Sequence, residues 1–306
     1  MKKKIILSLL SLFLLVTIGL YLTSRPTKTE DGSYIPSPLA LKLATSPTTD
    51  FDNTVYENKY TGDKKVLMLC TEQKNMTMAN GKKFSTGNHP VEMLLPILHL
   101  RNAGFDVDVA TPNGKPAVLE HWAMPEKDEQ VKAIYSEFKN KFEQPINLSD
   151  FVSNTMNENS DYIAIYFPGG HGAMLGLPEN KDVNKLINWS HNNDMFTLAI
   201  CHGPAALLAA NLNSDKDTFI YKGYKIAAFP DAVDEQTAMI GYMPGHMPWK
   251  FGEKLNALGV TIINQEADNS VYIDRKLITG ASPQAANDFG KLSATELLKE
   301  VHKTSR

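Results

Sequence analysis

Cys201 is the residue whose setting most plainly invites chemistry. It ends a fully apolar stretch, Phe196-Thr-Leu-Ala-Ile200, and is followed at once by His202-Gly203-Pro204. A strand that stops abruptly at such a turn, with proline free to enter the first turn of a following helix, holds the side chain out at the sheet edge as a nucleophile elbow does. Amides at that helix start favour a thiolate. His202 is placed to take and return a proton. A histidine in that role needs an orienting acceptor, and Asp231 and Asp234 both follow the next apolar segment. Either could equally serve as a turn or N-cap residue after Pro230. The competing reading of Cys201 is a buried, inert thiol; the neighbouring histidine and a glycine-rich loop favour the nucleophile.

That loop is Pro168-Gly-Gly-His-Gly172, after the apolar run Tyr162–Phe167. Glycine lets a backbone amide approach a substrate oxygen closely, as an oxyanion site requires. Glu92 lies in His89-Pro-Val-Glu92, in the first turn of an expected helix. A carboxylate there often just offsets the helix dipole. If it points at Cys201, one of the two must hold a proton, giving a shared acid/base pair.

These residues need a frame that brings strand ends together. Apolar runs at 65–70, 162–167 and 196–200 and the alternating Phe105-Asp-Val-Asp-Val-Ala110 read as strands, with a fifth near Tyr224–Phe229 and further β segments around 260–263 and 270–279. Helical spacing covers 90–103, stopping at Gly104, then roughly 179–193, the Ala/Leu-rich stretch after Pro204, and about 284–302. Alternation of this kind predicts an α/β fold, a parallel sheet sandwiched by helices, with its ligand beyond the carboxyl ends of the strands. Residues 61–306 form that domain, and 112–158 reads as a cap insertion.

The chain begins differently. Lys2-Lys3-Lys4 precedes an uncharged run from Ile5 to Leu22, long enough to cross a bilayer. Charge before the run predicts a signal peptide or membrane anchor over 1–24 and an extracytoplasmic domain. Residues 25–60, rich in Thr, Ser, Pro and Lys, read as a linker or an arm draped over the domain.

Composition removes several classes of function. Lys plus Arg number 31 against 34 Asp plus Glu, leaving no basic surplus for nucleic acid. Cys70 and Cys201 are the only cysteines, too few for a disulfide framework or a Cys-rich zinc site. No His-Glu-x-x-His, dinucleotide fingerprint or P-loop is present, so neither metal nor cofactor is expected. His99 and His191 read as core or surface residues.

Phe84-Ser-Thr-Gly-Asn-His-Pro-Val-Glu92, Trp122-Ala-Met-Pro125, Pro168–Gly172, Ala199-Ile-Cys-His-Gly-Pro-Ala205, Phe229-Pro-Asp231 and Gly241-Tyr-Met-Pro-Gly245 stand in the order found in one group. Together they resemble the HchA-type branch of the ThiJ/PfpI superfamily, from about residue 45 to the C-terminus. The resemblance implies a flavodoxin-like sandwich with a small cap, a homodimer, and glutathione-independent glyoxalase III or deglycase activity on α-oxoaldehydes. Holding of unfolded client proteins under stress is implied as well. It selects Cys201, His202 and Asp234 as the catalytic set with Glu92 beside the thiol, and Gly170 with the His202 amide as the oxyanion site. The family's two-histidine, one-carboxylate metal site falls here on Arg101, Asp106 and Phe138, so that site is expected to be lost. The alternatives to the enzyme are a holding chaperone, which would survive loss of Cys201, and a Cys peptidase or amidase, which would need an open cleft.

Overall fold

A computed structural model describes Gly19, residues 23–212 and residues 214–304. The apolar run Ile5–Leu22 lies outside the described residues apart from Gly19. Among the described residues no helix is long and apolar enough to cross a membrane.

The central sheet has seven strands: β1 (Lys65–Leu69), β2 (Asp106–Thr111), β3 (Ile146–Asn147), β4 (Tyr162–Phe167), β5 (Phe196–Ile200), β6 (Val271–Asp274) and β7 (Leu277–Gly280). Their spatial order is β6-β7-β5-β4-β1-β2-β3. All neighbours are parallel except the β6/β7 hairpin, which closes one edge antiparallel. Among the described residues eight α-helices flank the sheet or cover its end: α1 (Pro38–Ala44), α2 (Pro90–Asn102), α3 (Glu129–Glu143), α4 (Leu148–Asn154), α5 (Lys181–Asn192), α6 (Asp231–Thr237), α7 (Phe251–Ala257) and α8 (Ala286–Thr304).

Strands β1, β4 and β5 are mostly apolar because both faces are covered, whereas β2 alternates and leaves Asp106 exposed. In β1, Leu67 and Leu69 enter one core with Val183, Leu186 and Ile187 of α5. Val66 and Met68, pointing the other way, enter a second core with Leu94 and Ile97 of α2 and Leu297 of α8. Each fully buried aliphatic side chain contributes about 1.5–3 kcal/mol relative to exposure. The result is a three-layer sandwich whose parallel strands end on one side, where a ligand can be met by several loops at once.

Three expectations change. The segment Tyr224–Phe229 is not the fifth strand of the sheet; Lys225–Ile226 pairs with Thr261–Ile262 in a separate two-stranded parallel sheet. The parallel strand that follows β5 in the main sheet is β7. An apolar run announces a buried strand without naming its partner, which accounts for the misplacement. Residues 112–158 do not stand apart as a cap. Val131, Ile134, Phe138 and Phe142 of α3 are buried in the second core, and β3 extends the sheet beside β2. The Ala/Leu-rich stretch after Cys201 winds as a 3-10 helix over Gly203–Asn211.

The described part of 25–60 is an arm rather than a loose linker. Thr27–Lys28 pairs with Tyr34–Ile35, which joins Lys83–Ser85 and Asn75–Thr77 in a small four-stranded sheet. Helix α1 follows, capped by Ser37, whose Oγ accepts from Ala40 N at 3.0 Å and donates to the Ile240 carbonyl at 3.0 Å.

Candidate active site

Cys201 takes φ = +60°, a left-handed conformation unusual for a residue with a Cβ. The flanking structure enforces it: Cys201 N donates to Gly280 O of β7 at 2.8 Å, and Cys201 O accepts from Phe229 N at 3.0 Å. Such a residue carries on the order of 1–3 kcal/mol of strain, held here by the sheet on one side and the Phe229 backbone on the other. This is the elbow that the sequence implied.

The thiol Sγ lies 3.2 Å from His202 Nδ1. On the far side of the ring, His202 Nε2 donates to Asp234 Oδ2 at 3.0 Å. With its proton on Nε2, a neutral His202 presents the Nδ1 lone pair to the thiol. Of the two candidate acceptors the structure brings only Asp234 to the histidine. Asp231 accepts from Gly252 N at 3.1 Å and Glu253 N at 2.8 Å, and so anchors the start of α7.

Glu92 is wholly buried in the first turn of α2, and Tyr166 OH donates to its backbone carbonyl. Its carboxyl lies beside the thiol: a Cβ built on Gly169 would strike both Glu92 Oε2 and the Cys201 Cβ. Neither carboxyl oxygen has a well-formed hydrogen bond. Burial pushes the Glu92 pKa well above the ordinary carboxyl value, though the thiol and the Gly170 amide act in the opposite direction. Burial and the Glu92 charge push the Cys201 thiol up too, against the Gly170 amide. The thiolate expected from a helix start is thus opposed by desolvation, and the pair retains at least one proton. Gly170, at φ = +88°, could carry no side chain; a Cβ there would meet His89 N at 2.6 Å.

Sequence reasoning assigned no role to His171, although it sits inside the glycine-rich loop. Its Nε2 bonds to Asp234 Oδ1 at 2.9 Å and its ring packs, tilted by 36°, against His202 with centroids 4.0 Å apart. Burial lowers the His171 pKa, but Asp234 and Glu120 outweigh it and raise it overall. For His202, burial and the His171 charge outweigh Asp234, and the pKa falls. Desolvation would raise Asp234; its two histidine partners hold it well below the usual range instead. His89 and Glu120, both buried, were also missed. Burial, with the charges of His171 and His202, lowers His89 to about 3.

His171, His202 and Asp234 are also the one cluster among the described residues with metal-ligand geometry, their donor atoms within 4.8 Å of one another. Both Nε2 atoms already bond the Asp234 carboxylate, so a cation there would have to displace two protons. The positions matching the family's metal site do not fit a cation. Arg101 Nη1 bonds Asp106 Oδ1 at 3.1 Å, its Nη2 bonds Glu137 at 3.2 Å, and Phe138 offers no donor. His99 is a satisfied core residue between Tyr56 (3.1 Å) and Asn287 (2.9 Å), and His191 is exposed.

The thiol opens on a cavity of about 200 Å³. Cys201, His202, Gly170 and Glu120 line its floor and wall; Phe229, Ile240 and Tyr242 supply apolar cover, and α1 adds Leu43 and Ala44 at the mouth. Cys70 and Cys201 are both buried free thiols.

An elbow cysteine, a histidine–aspartate pair and a buried glutamate at the strand ends of a doubly wound sheet define a cysteine-centred α/β protein. The chain belongs to the DJ-1/PfpI family, whose match spans residues 84–296. It is 46% identical over 278 residues to the protein/nucleic acid deglycase HchA of Staphylococcus aureus (strain bovine RF122 / ET3-1), covering 90% of this chain and 94% of that protein. Among solved structures it is similar to glyoxalase III from Candida albicans, with 28% identity, a TM-score of 0.59, and coverage of 76% of this chain and 97% of that one. The Rapid Encystment Protein of Francisella tularensis shares the fold, at 24% identity and a TM-score of 0.61, over 76% of this chain and 99% of that one.

Proposed function

We propose that this chain is a glutathione-independent glyoxalase III that converts methylglyoxal to lactate and also deglycates methylglyoxal adducts. The observation that carries it is the buried Glu92 carboxyl set against an elbow thiol, facing a cavity of about 200 Å³. That volume is below the ~300–1,000 Å³ of drug-sized sites. It suits a three-carbon dicarbonyl and disfavours a polypeptide, which counts against the peptidase reading.

In the reaction, the Cys201 sulfur adds to the aldehyde carbon C1, and the thiol proton reaches the former aldehyde oxygen through His202. The Gly170 and His202 amides stabilise that oxygen while it is charged. Glu92 removes the C1 hydrogen and returns it to C2, through an enediol. The resulting thioester is hydrolysed by water, releasing lactate and the thiol. Asp234 fixes the His202 tautomer and His171 fixes Asp234. No cofactor enters any step.

A homodimer, client binding under stress, and an extracytoplasmic position set by the leader over 1–24 form part of the same proposal. The first two rest on the resemblance to HchA-type proteins. The last rests on the lysine cluster and apolar run.

The deciding measurement follows methylglyoxal loss and lactate formation without glutathione, for a soluble chain lacking residues 1–22 and for its Cys201→Ala variant. Turnover that vanishes with the thiol is the expected result. A folded, reduced native chain with no turnover overturns the proposal.

A further inference from the structure

Turning a hemithioacetal into a thioester moves two hydrogens. One passes from C1 to C2 and belongs to Glu92. The other must pass from the oxygen on C1 to the oxygen on C2, and none of the groups assigned above serves the second oxygen.

Glu120 lines the cavity wall and is 1% exposed. Its Oε1 accepts from Thr86 Oγ1 at 2.6 Å, whereas its Oε2 is buried with no hydrogen-bond partner. The backbone fixes its position: Glu120 N donates to Asn88 O at 3.0 Å, and Ala123 N donates to Glu120 O at 2.8 Å. It stands close enough to both Glu92 and His171 for their charges to interact. A buried carboxyl without a partner on one oxygen is costly unless that oxygen carries a proton or meets a ligand. Burial raises the Glu120 pKa, against the opposing pull of His171 and Thr86. The Gly87 and His171 amides approach the same carboxyl, but Oε2 has no well-formed hydrogen bond, and with the Thr86 hydroxyl donating to Oε1 a proton on the carboxyl sits on Oε2.

We propose that Glu120 is a second acid/base of the reaction, serving the C2 oxygen of the dicarbonyl. As Glu92 takes the C1 hydrogen, Glu120 Oε2–H gives its proton to the ketone oxygen and the enediol forms. As Glu92 returns hydrogen to C2, the C1 hydroxyl loses its proton to Glu120 and becomes the thioester carbonyl. Glu120 ends as it began, and no outside reactant is consumed. This inference rests on the glyoxalase reading.

The test compares the native chain, Cys201→Ala, Glu120→Gln and Thr86→Val with methylglyoxal. Two readouts are taken: lactate formed, and the Cys201 adduct, read as protection of the thiol by methylglyoxal against iodoacetamide in the intact mass. Glutamine keeps the shape and can keep the Thr86 bond but cannot pass a proton. Glu120→Gln should therefore form the adduct as the native chain does, with kcat lowered by about 100-fold or more and KM little changed. Thr86→Val, which frees Oε1 from its donor, should lower kcat less severely. A kcat for Glu120→Gln within about threefold of native overturns the proposal and leaves the glyoxalase reading standing. Should that variant fail to fold, an unchanged kcat in Thr86→Val overturns it instead. A native chain without turnover overturns the functional reading, and this inference with it.

Discussion

His171 and His202 present their Nε2 atoms to opposite oxygens of one buried carboxylate, Asp234, at 2.9 and 3.0 Å, with their tilted rings packed 4.0 Å apart. The arrangement sets the two histidines in opposite electrostatic states. Asp234 and Glu120 draw His171 toward its charged form, and burial together with the His171 charge favours a neutral His202. A neutral His202 is the form that can accept the thiol proton. His171 thus acts on the chemistry through its neighbour.

Replacing His171 with asparagine should move the acidic limb of kcat/KM to higher pH. The sign follows from the charges: without His171, the lowering contribution on His202 disappears while Asp234 still raises it, so His202 becomes protonated at higher pH. Asp234 also loses one of its two partners, and thermal unfolding should show a loss of about 1–3 kcal/mol. A limb that stays in place or moves to lower pH would show that His171 is only a packing residue.

Glu92→Gln separates proton transfer from thiol ionisation. Removing the buried acid should lower turnover by about 10²–10⁴-fold. The like charge that raises the Cys201 pKa goes with it, so alkylation of Cys201 by iodoacetamide should become faster at neutral pH. Stability should respond as well. A carboxyl whose folded pKa is raised binds its proton more tightly in the native state, so native stability falls as pH climbs above the unfolded carboxyl range. Glu92→Gln should abolish that decline, and melting curves at pH 5 and pH 8 would reveal it. Slower alkylation in the variant would contradict the placement of Glu92 beside the thiol.

Gly170→Ala should fail on two counts. The backbone stands at φ = +88°, and the added Cβ would fall 2.6 Å from His89 N. Strain of about 1–3 kcal/mol is expected from the conformation alone. Any relaxation would move the Gly170 amide away from the thiol and Glu92, whose ionisation it now influences. A variant with native kcat would remove Gly170 from the oxyanion site.

The parts of the molecule legible in sequence were those with local signatures. Cys201-His-Gly-Pro204 announced its elbow because strand, turn and proline are neighbours in the chain, and β1, β4 and β5 showed as apolar runs with β2 as an alternating one. Partnerships formed across long separations were not legible. Nothing near Lys225 says that its neighbour is Thr261, so that short pair read as part of the main sheet. His171 and Glu120 owe their importance to Asp234 and the cavity, far away in sequence. The only local hint was the histidine amid the glycines of the 168–172 loop. Asp231 and Asp234 were indistinguishable until the fold turned one toward His202 and the other toward α7.

Ser37→Ala tests whether the N-terminal arm belongs to the site or only rests on it. Ser37 is fully buried, caps α1 through Ala40 N, and ties the arm to Ile240 O. Losing a side-chain cap costs about 0.5–2 kcal/mol, enough to let a seven-residue helix open locally while the sandwich stays folded. Helix α1 supplies Leu43 and Ala44 to the cavity mouth, whereas Cys201, His202 and Glu92 are held by the sheet and α2. Opening the arm should therefore raise KM for methylglyoxal several-fold with kcat nearly unchanged. Trypsin should cut after Lys42 sooner than in the native chain, since that bond lies within α1. Faster cleavage accompanied by an unchanged KM would mean that the arm stabilises the fold without shaping what the thiol admits.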